Sequence, residues 1–460
     1  MTQLSNSLAN RDIENFLHPY TNLAAHQETG PLVITKGDGV YVYDEAGNKY
    51  IEGLAGLWCT ALGFDNKRLV EAATKAMEQL PFYHSFGSKS HPTAIDLAER
   101  LIELAPVPMS KVFFANSGSE ANDTAVKIIW YINNARGRTE KKKIIAREKA
   151  YHGVTLMTAS LTGLSNNHRD FDLPLDRVLH TDCPHHYHFG EDGESEEEFA
   201  TRCAENLRKL ILDEGPETIA AFFAEPVMGA GGVIPPPATY FEKIQPVLQE
   251  YDILFVVDEV ICGFGRTGNM FGTETYDLKP DMITVAKALS SGYLPISALM
   301  VSDEIFQLMV AESEKIGIFG HGFTYGGHPV PCAVALETLK IYEEMDLVSH
   351  VQLVTPTLQD GLAKLADHPL VGEARGVGLL GALEVVKNKE TREIFEVSDG
   401  IGAHLANRAQ ANGLISRAMG DTLAFAPPLI IDNYQINEIL AVVEQSLDET
   451  LDVTADLGLK

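Results

Sequence analysis

Two charged residues near the middle of the chain each follow a short apolar segment. Residues 254–257 have the composition of a buried strand and lead into Asp258, and residues 282–286 lead into Lys287 in the same way. Ligands of open α/β sheets bind at the carboxyl ends of the strands, so both side chains are expected at such an edge. A lysine can hold an aldehyde as an imine while a carboxylate keeps a pyridine nitrogen protonated, which is the chemistry of pyridoxal phosphate. A buried ion pair between neighbouring strands is the alternative interpretation.

The residues around Gly118 have the pattern of an anion-binding helix start. Residues 111–114 have the composition of a strand, and Ser117, Gly118 and Ser119 precede a helical pattern that begins at Ala121. Backbone N–H groups and the positive end of the helix dipole can hold a phosphate at such a point. An ordinary serine N-cap is the alternative, but the carboxylate and the lysine on later strand ends favour the phosphate.

Four more side chains are candidates for the site, three of them at the same edge of the sheet. Tyr151 follows a predicted strand and offers an aromatic face to a flat cofactor ring, and Val260 is a candidate for the opposite face. His152 is a candidate acid or base, or else a hydrogen-bonding residue without a chemical role. Arg417 follows a predicted strand, residues 414–416, in the C-terminal part. It carries the planar cation that suits a substrate carboxylate, although most arginines on such strands are solvated.

Two other patterns resemble known sites but lack the right context. Residues 263–268 have the form GxGxxG of a dinucleotide-binding turn, but no apolar helical face follows and the next strand ends in Lys287, not in an acid. Residues 180–198 hold four histidines and an acidic run, but the spacing matches no closed zinc site. We expect neither NAD nor a metal. Residues 180–198 are interpreted as an irregular surface loop, with Ser195 and Glu198 at capping-box spacing at its end.

The composition argues against several classes of partner. The chain has 460 residues and a formal net charge of -28 at pH 7, which disfavours nucleic acids and anionic membranes. The sequence shows no leader and no long apolar run, and its five cysteines are scattered and odd in number. We therefore expect a cytoplasmic protein without a membrane span.

The alternation of strand and helix patterns predicts an α/β fold, with a mostly parallel sheet and flanking helices. The length exceeds that of a single hydrophobic core. Three parts are expected. They are an N-terminal segment (residues 1–60) that contributes to the small domain and the active site, a large cofactor-binding domain (residues 61–330), and a smaller C-terminal α+β domain (residues 331–460).

The motifs together resemble one family along nearly the whole chain. The sequence resembles the class III aminotransferases, which are fold-type I enzymes that depend on pyridoxal phosphate. The segments that carry the resemblance are 117–120 (SGSE), 151–153 (YHG), 225–226 (EP), 258–260 (DEV), 263–268 (GFGRTG), 287 (K), 290–295 (SSGYLP) and 321–324 (HGFT). Residues 18–20 (HPY) and 56–59 (GLWC) resemble the ω-amino acid or amine:pyruvate branch, the ω-transaminases.

The resemblance implies transfer of an amino group from an ω-amino acid or primary amine to a keto acid, with pyruvate expected. Lys287 would be the imine lysine and proton shuttle, and Asp258 would pair with the ring nitrogen. The implied cofactor residues are Gly118, Ser119, Tyr151, Glu225, Asp258, Val260, Lys287 and Thr324, the last reaching the phosphate from the other subunit of a homodimer. The implied substrate residues are Trp58, Phe86, Tyr151 and Arg417. Arg417 would bind the keto acid's carboxylate and move aside for an amine without one. A tetramer is an alternative to the dimer.

Three residues depart from the family pattern, and they leave the substrate open. Ala288 and Ser297 stand where glycine is usual and are expected to tighten packing, while Gly87 stands where a bulkier residue is common and is expected to open the pocket mouth. β-Alanine, taurine, polyamine ends and arylalkylamines are all compatible donors. An aminomutase, decarboxylase or racemase on the same scaffold is an alternative, as is a non-catalytic binding protein, although intact Lys287 and Asp258 argue against the latter.

Overall fold

The computed structural model describes residues 7–458, so residues 1–6 and 459–460 of the predicted terminal parts lie outside it. The strands, numbered β1 to β15 in chain order, are Ile34–Asp38, Tyr41–Asp44, Lys49–Glu52, Lys111–Ala115, Lys143–Arg147, Val178–Thr181, Ile219–Ala224, Leu254–Asp258, Met282–Val285, Ser297–Val301, Val371–Val377, Leu380–Val385, Leu414–Ile415, Arg417–Met419 and Thr422–Phe425. The α-helices, numbered α1 to α17, are Leu8–Asn15, Leu23–Thr29, Ala55–Trp58, Lys67–Gln79, Pro92–Leu104, Gly118–Ala135, Leu156–Leu161, Ser165–His168, His186–Phe189, Glu196–Glu214, Tyr240–Glu250, Gly272–Thr275, Asp303–Ile316, Pro329–Glu344, Leu347–Leu365, Ile401–Ala411 and Asn433–Asp456. Short 3-10 helices lie at Leu175–Arg177, Pro216–Thr218, Lys287–Ser290 and Val397–Asp399.

Within the described residues, a central sheet has seven strands in the order β4-β10-β9-β8-β7-β5-β6. β10 runs antiparallel to both its neighbours, and the other neighbouring pairs are parallel. β7, β9 and β10 are buried along their whole length. α6 and α13 cover one face of the sheet, and α10 and α11 cover the other face at β7 and β8. On that second face, β9 and β10 share a hydrophobic cluster with side chains of α5 and α14. The prediction of an α/β fold with a mostly parallel sheet is confirmed.

Two smaller sheets lie outside the central sheet, and one of them joins the beginning of the chain to its C-terminal part. One has the order β1-β2-β3-β13 and the other the order β11-β12-β15-β14. β13 pairs in parallel with β3, with Leu414 opposite Ile51, so the N-terminal strands share a sheet with a C-terminal strand. The division of the chain near residues 60 and 330 stays a prediction.

Two segments differ from the sequence expectation. Residues 180–198 are not irregular throughout, because Val178–Thr181 pairs with β5 at the sheet edge and His186–Phe189 forms one helical turn. Ser195 does cap α10 in a capping box with Glu198. The strand expected at residues 414–416 is divided at Ser416 into β13 and β14, which belong to different sheets. No described helix is both long enough and apolar enough to cross a membrane.

Candidate active site

A cavity of about 310 Å³ opens beyond the carboxyl ends of β5, β7, β8 and β9, where ligands bind in such sheets. The start of α6 forms one wall, and the turn after β9 forms another. The sequence-predicted residues that line it are Gly118, Ser119, Tyr151, Glu225, Asp258, Val260 and Lys287.

Lys287 follows β9 on a strained backbone. Its φ is 47°, in the left-handed region that lysine rarely adopts, and it begins the 3-10 helix Lys287–Ser290. Burial lowers the pKa of its amine. Among the described residues, no side chain is hydrogen-bonded or ion-paired to its Nζ. A desolvated amine without a partner is a better nucleophile than a surface lysine, and it can bond to an aldehyde.

Asp258 ends β8 and is buried in a network of three hydrogen bonds. Its Oδ2 accepts from Asn122 Nδ2 at 2.7 Å and lies 2.9 Å from His152 Nδ1, and its Oδ1 accepts from the Val260 N–H at 3.1 Å. Burial opposes ionisation, but the hydrogen bonds outweigh it and lower the pKa of the Asp258 carboxyl. The carboxylate is therefore charged and can stabilise a proton on a nearby ring nitrogen. Asp258 and Lys287 do not form an ion pair with each other.

The start of α6 combines a serine cap with an open anion cradle. Ser117 Oγ accepts a hydrogen bond from the Glu120 N–H at 3.2 Å, so Ser117 is the N-cap of α6. Gly118 and Ser119 face the cavity. A Cβ on Gly118 would lie 3.0 Å from a Val260 methyl group, so glycine keeps the cradle open. Ser297, a departure from the family pattern, donates to the Ser117 carbonyl at 2.7 Å and so fixes the loop.

These observations fit pyridoxal phosphate. The cavity offers a free buried amine in Lys287, an ionised carboxylate in Asp258, and a glycine-lined helix start for a phosphate. Two buried polar atoms beside Asp258 also lack partners among the described residues, namely Asn122 Oδ1 and His152 Nε2.

Tyr151, Tyr20 and Arg417 form an aromatic and cationic group beside the cavity. Burial and contact with the Tyr20 hydroxyl raise the pKa of the Tyr151 phenol. The guanidinium carbon of Arg417 lies 5.9 Å from the centre of the Tyr20 ring. Asn167 Nδ2 donates to the Tyr20 hydroxyl at 2.5 Å, which fixes the ring in place. Tyr20 was not predicted as a site residue, although it belongs to the HPY motif.

Glu225 lines the cavity but binds backbone groups. Its two carboxylate oxygens accept the Tyr151 N–H at 3.0 Å and the Gly229 N–H at 2.9 Å. Burial raises the pKa of this carboxyl. Glu225 therefore fixes the backbone that carries Tyr151.

Four predicted residues do not line the cavity of the single chain, namely Arg417, which lies beside it, and Trp58, Phe86 and Thr324. Trp58 is 2% exposed and packs in an apolar cluster, on a backbone whose φ is 66°. Phe86 is 50% exposed and lines a separate groove with Phe323, and Thr324 is exposed in the adjoining turn. Cys59, which was not predicted, lines the cavity instead of its neighbour Trp58.

The GxGxxG segment, residues 263–268, connects β8 to β9 and carries a buried arginine. Arg266 donates to the Pro427 carbonyl at 2.5 Å and to the Leu379 carbonyl at 3.4 Å. Burial lowers the pKa of its guanidinium to about 10. The segment therefore joins the central sheet to the C-terminal part.

Known proteins resemble nearly the whole chain. The profile of the family described as "Aminotransferase class-III" matches residues 23–447. The Solanum lycopersicum protein named "Gamma aminobutyrate transaminase 3, chloroplastic" is 53% identical over 455 residues, 98% of this chain and 88% of that protein. The solved omega transaminase of Pseudomonas jessenii in complex with PMP is 54% identical, with 99% of this chain and 100% of that chain covered and a TM-score of 0.96. A thermostable omega transaminase variant, W58M/F86L/R417L, engineered for asymmetric synthesis of enantiopure bulky amines, is 55% identical, with 97% and 99% covered and a TM-score of 0.96.

Proposed function

The chain belongs to the class III aminotransferases, which depend on pyridoxal phosphate, and we propose that it moves the amino group of an ω-amino acid or primary amine to pyruvate. The observation that carries this proposal is the position of Lys287. Its buried amine lacks a partner among the described side chains and shares one cavity with the ionised Asp258.

Each cavity residue has a separate role in the proposed amino transfer. Pyridoxal phosphate, when bound, supplies a ring that stores the electron pair released from the substrate carbon. Gly118 and Ser119 would hold its phosphate, and Asp258, kept ionised by His152, would hold the proton on its ring nitrogen. Lys287 would hold the cofactor covalently, and its amine, once free, would take the proton from the substrate carbon and return it during the transfer. The keto acid uses the same residues in reverse.

Arg417 is the proposed binding residue for the keto acid's carboxylate. Its guanidinium packs over Tyr20, which in turn contacts Tyr151 at the cavity, and a planar cation pairs well with a carboxylate. The plant relative is named for γ-aminobutyrate, a donor that carries a carboxylate. The engineered neighbour is substituted at residues of the same type and number as Trp58, Phe86 and Arg417, which supports these three as substrate residues here.

A second copy of the chain is proposed to complete the active site. Phe86 packs beside Gly322 in an exposed groove that also contains Phe113 and Phe323, and a groove of this kind is typical of an interface. Burying this groove in a homodimer, or in a tetramer made of two such dimers, would bring Phe86 and Thr324 to the partner's cavity. Sedimentation of wild type and of Phe323→Asp tests this. We expect an active dimer and an inactive monomer, respectively, and a fully active wild-type monomer would contradict the proposal.

We propose a cytoplasmic location because the cysteines, all of them in the described part of the chain, form no disulfides. All five are free thiols, and four of them are buried, as expected in a reducing compartment. Fractionation of the source cells with an antibody to the protein would check it, and recovery of the protein from another compartment would contradict it.

The stoichiometry of amine and keto acid tests the reaction. Holoenzyme is supplied with β-alanine, γ-aminobutyrate or an arylalkylamine, and with pyruvate, 2-oxoglutarate or glyoxylate. We expect one pyruvate to be consumed and one alanine formed for each amine lost. Amine consumption without a keto acid would favour a decarboxylase, racemase or aminomutase. Faster reaction with another keto acid would refute pyruvate while leaving transamination intact.

A further inference from the structure

Three side chains of the N-terminal segment converge on one point outside the active-site cavity. Asp12 lies on α1, His18 in the loop after it and His26 on α2. Nε2 of His18 and Nε2 of His26 lie 2.8 and 3.0 Å from the same oxygen, Asp12 Oδ1. The two imidazole rings are 4.3 Å apart, and each of the three side chains is between 11% and 22% exposed. The mechanism of amino transfer uses none of these residues.

We propose that Asp12, His18 and His26 form a binding site for a divalent transition metal of the zinc class. The three ligand atoms lie within 4.8 Å of one another. Two imidazole nitrogens and a carboxylate oxygen suit Zn²⁺ and Co²⁺, whereas Mg²⁺ and Ca²⁺ take oxygen ligands. Ligands of four-coordinate Zn²⁺ are roughly 3.3 Å apart, so a small opening of the cluster admits the ion. Water would fill the fourth position.

The charges around Asp12 favour a cation. An aspartate carboxyl is ordinarily ionised at neutral pH, and the hydrogen bonds from His18 and His26 to its Oδ1 favour the carboxylate form. Among the described residues, His18 and His26 are the side chains paired with the Asp12 carboxylate, and no lysine or arginine forms an ion pair with it. A neutral histidine binds the metal through Nε2 when its proton sits on Nδ1, so binding requires a change of tautomer and no other reactant.

A second cluster of histidines and carboxylates, in contrast, already contains a cation that would compete with a metal ion. His185 Nε2 lies 2.8 Å from Glu373, and His188 contacts Glu384, so this cluster also has the composition of a metal site. Arg375, however, donates to both carboxylates, at 2.5 and 2.6 Å. The guanidinium already supplies the positive charge, so we expect no metal there. These residues therefore serve as an internal control.

A metal at the N-terminal cluster would fix the segment that carries Tyr20. Tyr20 follows His18 by two residues and contacts Tyr151 beside the cavity. α1 and α2 have no buried side chain, so few apolar contacts hold the segment within one chain. A bond from each helix to one ion would restrict its motion. The metal is thus structural and takes no part in the chemistry of amino transfer.

Metal binding by chelator-treated, tag-free holoenzyme tests the proposal. Zn²⁺ is titrated by calorimetry, and Co²⁺ is followed by its visible absorption. We expect one Zn²⁺ per chain for wild type and binding weaker by about tenfold or more for Asp12→Asn and for His26→Gln. The double variant His185→Gln/His188→Gln should bind like wild type. Zn²⁺ should also slow proteolysis within residues 8–30 of wild type but not of Asp12→Asn.

Equal Zn²⁺ affinity in wild type and Asp12→Asn would overturn the proposal, as would loss of binding only in the His185/His188 variant. Where a variant folds poorly, wild-type holoenzyme crystals soaked in ZnCl₂ decide the matter. An anomalous peak at the zinc edge between Asp12, His18 and His26 supports the site. A peak elsewhere, or none, overturns it.

Discussion

Replacing the Asp258 carboxylate by an amide tests the central electrostatic interaction of the site. Asp258→Asn keeps the side chain's size and its proximity to Asn122 and His152, whose atoms lie 2.7 and 2.9 Å from Oδ2, but it removes the negative charge. Two unit charges 4 Å apart at an effective dielectric constant of 20 interact by about 4 kcal/mol. Since about 1.4 kcal/mol changes a rate tenfold, complete loss corresponds to about 10³-fold. We expect the amine half-reaction to slow by about 10²- to 10³-fold, because reorganised dipoles recover part of the loss.

The assay is a single-turnover measurement of the cofactor's visible absorption after mixing with the amine. Asp281→Asn is the matched control. Asp281 is a partly buried carboxylate that also accepts a hydrogen bond, from the Phe255 N–H at 2.8 Å, but it lies at the opposite end of β8. Its variant should react like wild type once the amount of folded protein is equal. Retention of more than about a tenth of the wild-type rate by Asp258→Asn, with the cofactor fully bound, would refute the reasoning.

Three further changes test other parts of the site and the fold. Lys287→Ala should abolish turnover and the absorption of the lysine-bound cofactor, while loose cofactor binding remains. The control variant, Lys279→Ala at an exposed lysine, should change neither turnover nor absorption. Wild-type turnover in Lys287→Ala would contradict the assignment. Arg417→Leu should raise the KM for pyruvate by about tenfold or more, since a charged hydrogen bond contributes about 1.5–3 kcal/mol. The KM for a carboxylate-free amine should change little. An equal rise in both KM values would argue against carboxylate recognition by Arg417. Burial raises the pKa of the Glu52 carboxyl from 4.5 to about 7, so the fold gains stability from this group below pH 4.5 and loses it as the pH rises to 7. Urea unfolding should therefore show that Glu52→Gln raises the free energy of unfolding by about 1–3 kcal/mol more at pH 8 than at pH 5. The same pH dependence in wild type and variant would contradict this.

Local sequence patterns were sufficient to predict the α/β fold and much of the cavity wall. A polar residue directly after an apolar strand lies at the sheet edge whatever the rest of the chain does, which is why Asp258 and Lys287 could be placed together. The same holds for Gly118, because the start of a helix after a strand is a local feature.

The remainder depended on tertiary contacts that a sequence pattern does not encode. Trp58 turns into the core because Ala55 and Trp58 have left-handed backbones, with φ of 49° and 66°. Tyr20 reaches Tyr151 from a segment with no buried helix residue, so no periodicity indicated its position. Asn122 lies within a helix, and only the fold shows that it donates to Asp258.

The pairing of β3 with β13 has a consequence for synthesis of the protein on the ribosome. Ile51 pairs with Leu414, so the N-terminal strands cannot complete their sheet until the C-terminal part has emerged. The residues of the cofactor cavity, from Gly118 to Lys287, leave the ribosome before that point, whereas Arg417 leaves after it. A chain that stops near residue 410 would thus hold every cavity residue of the central sheet but leave β3 an unpaired edge, which is prone to aggregation. The N-terminal strands of the nascent chain therefore stay without their pairing strand β13 until late in synthesis. We expect this stage to be the one that needs a chaperone.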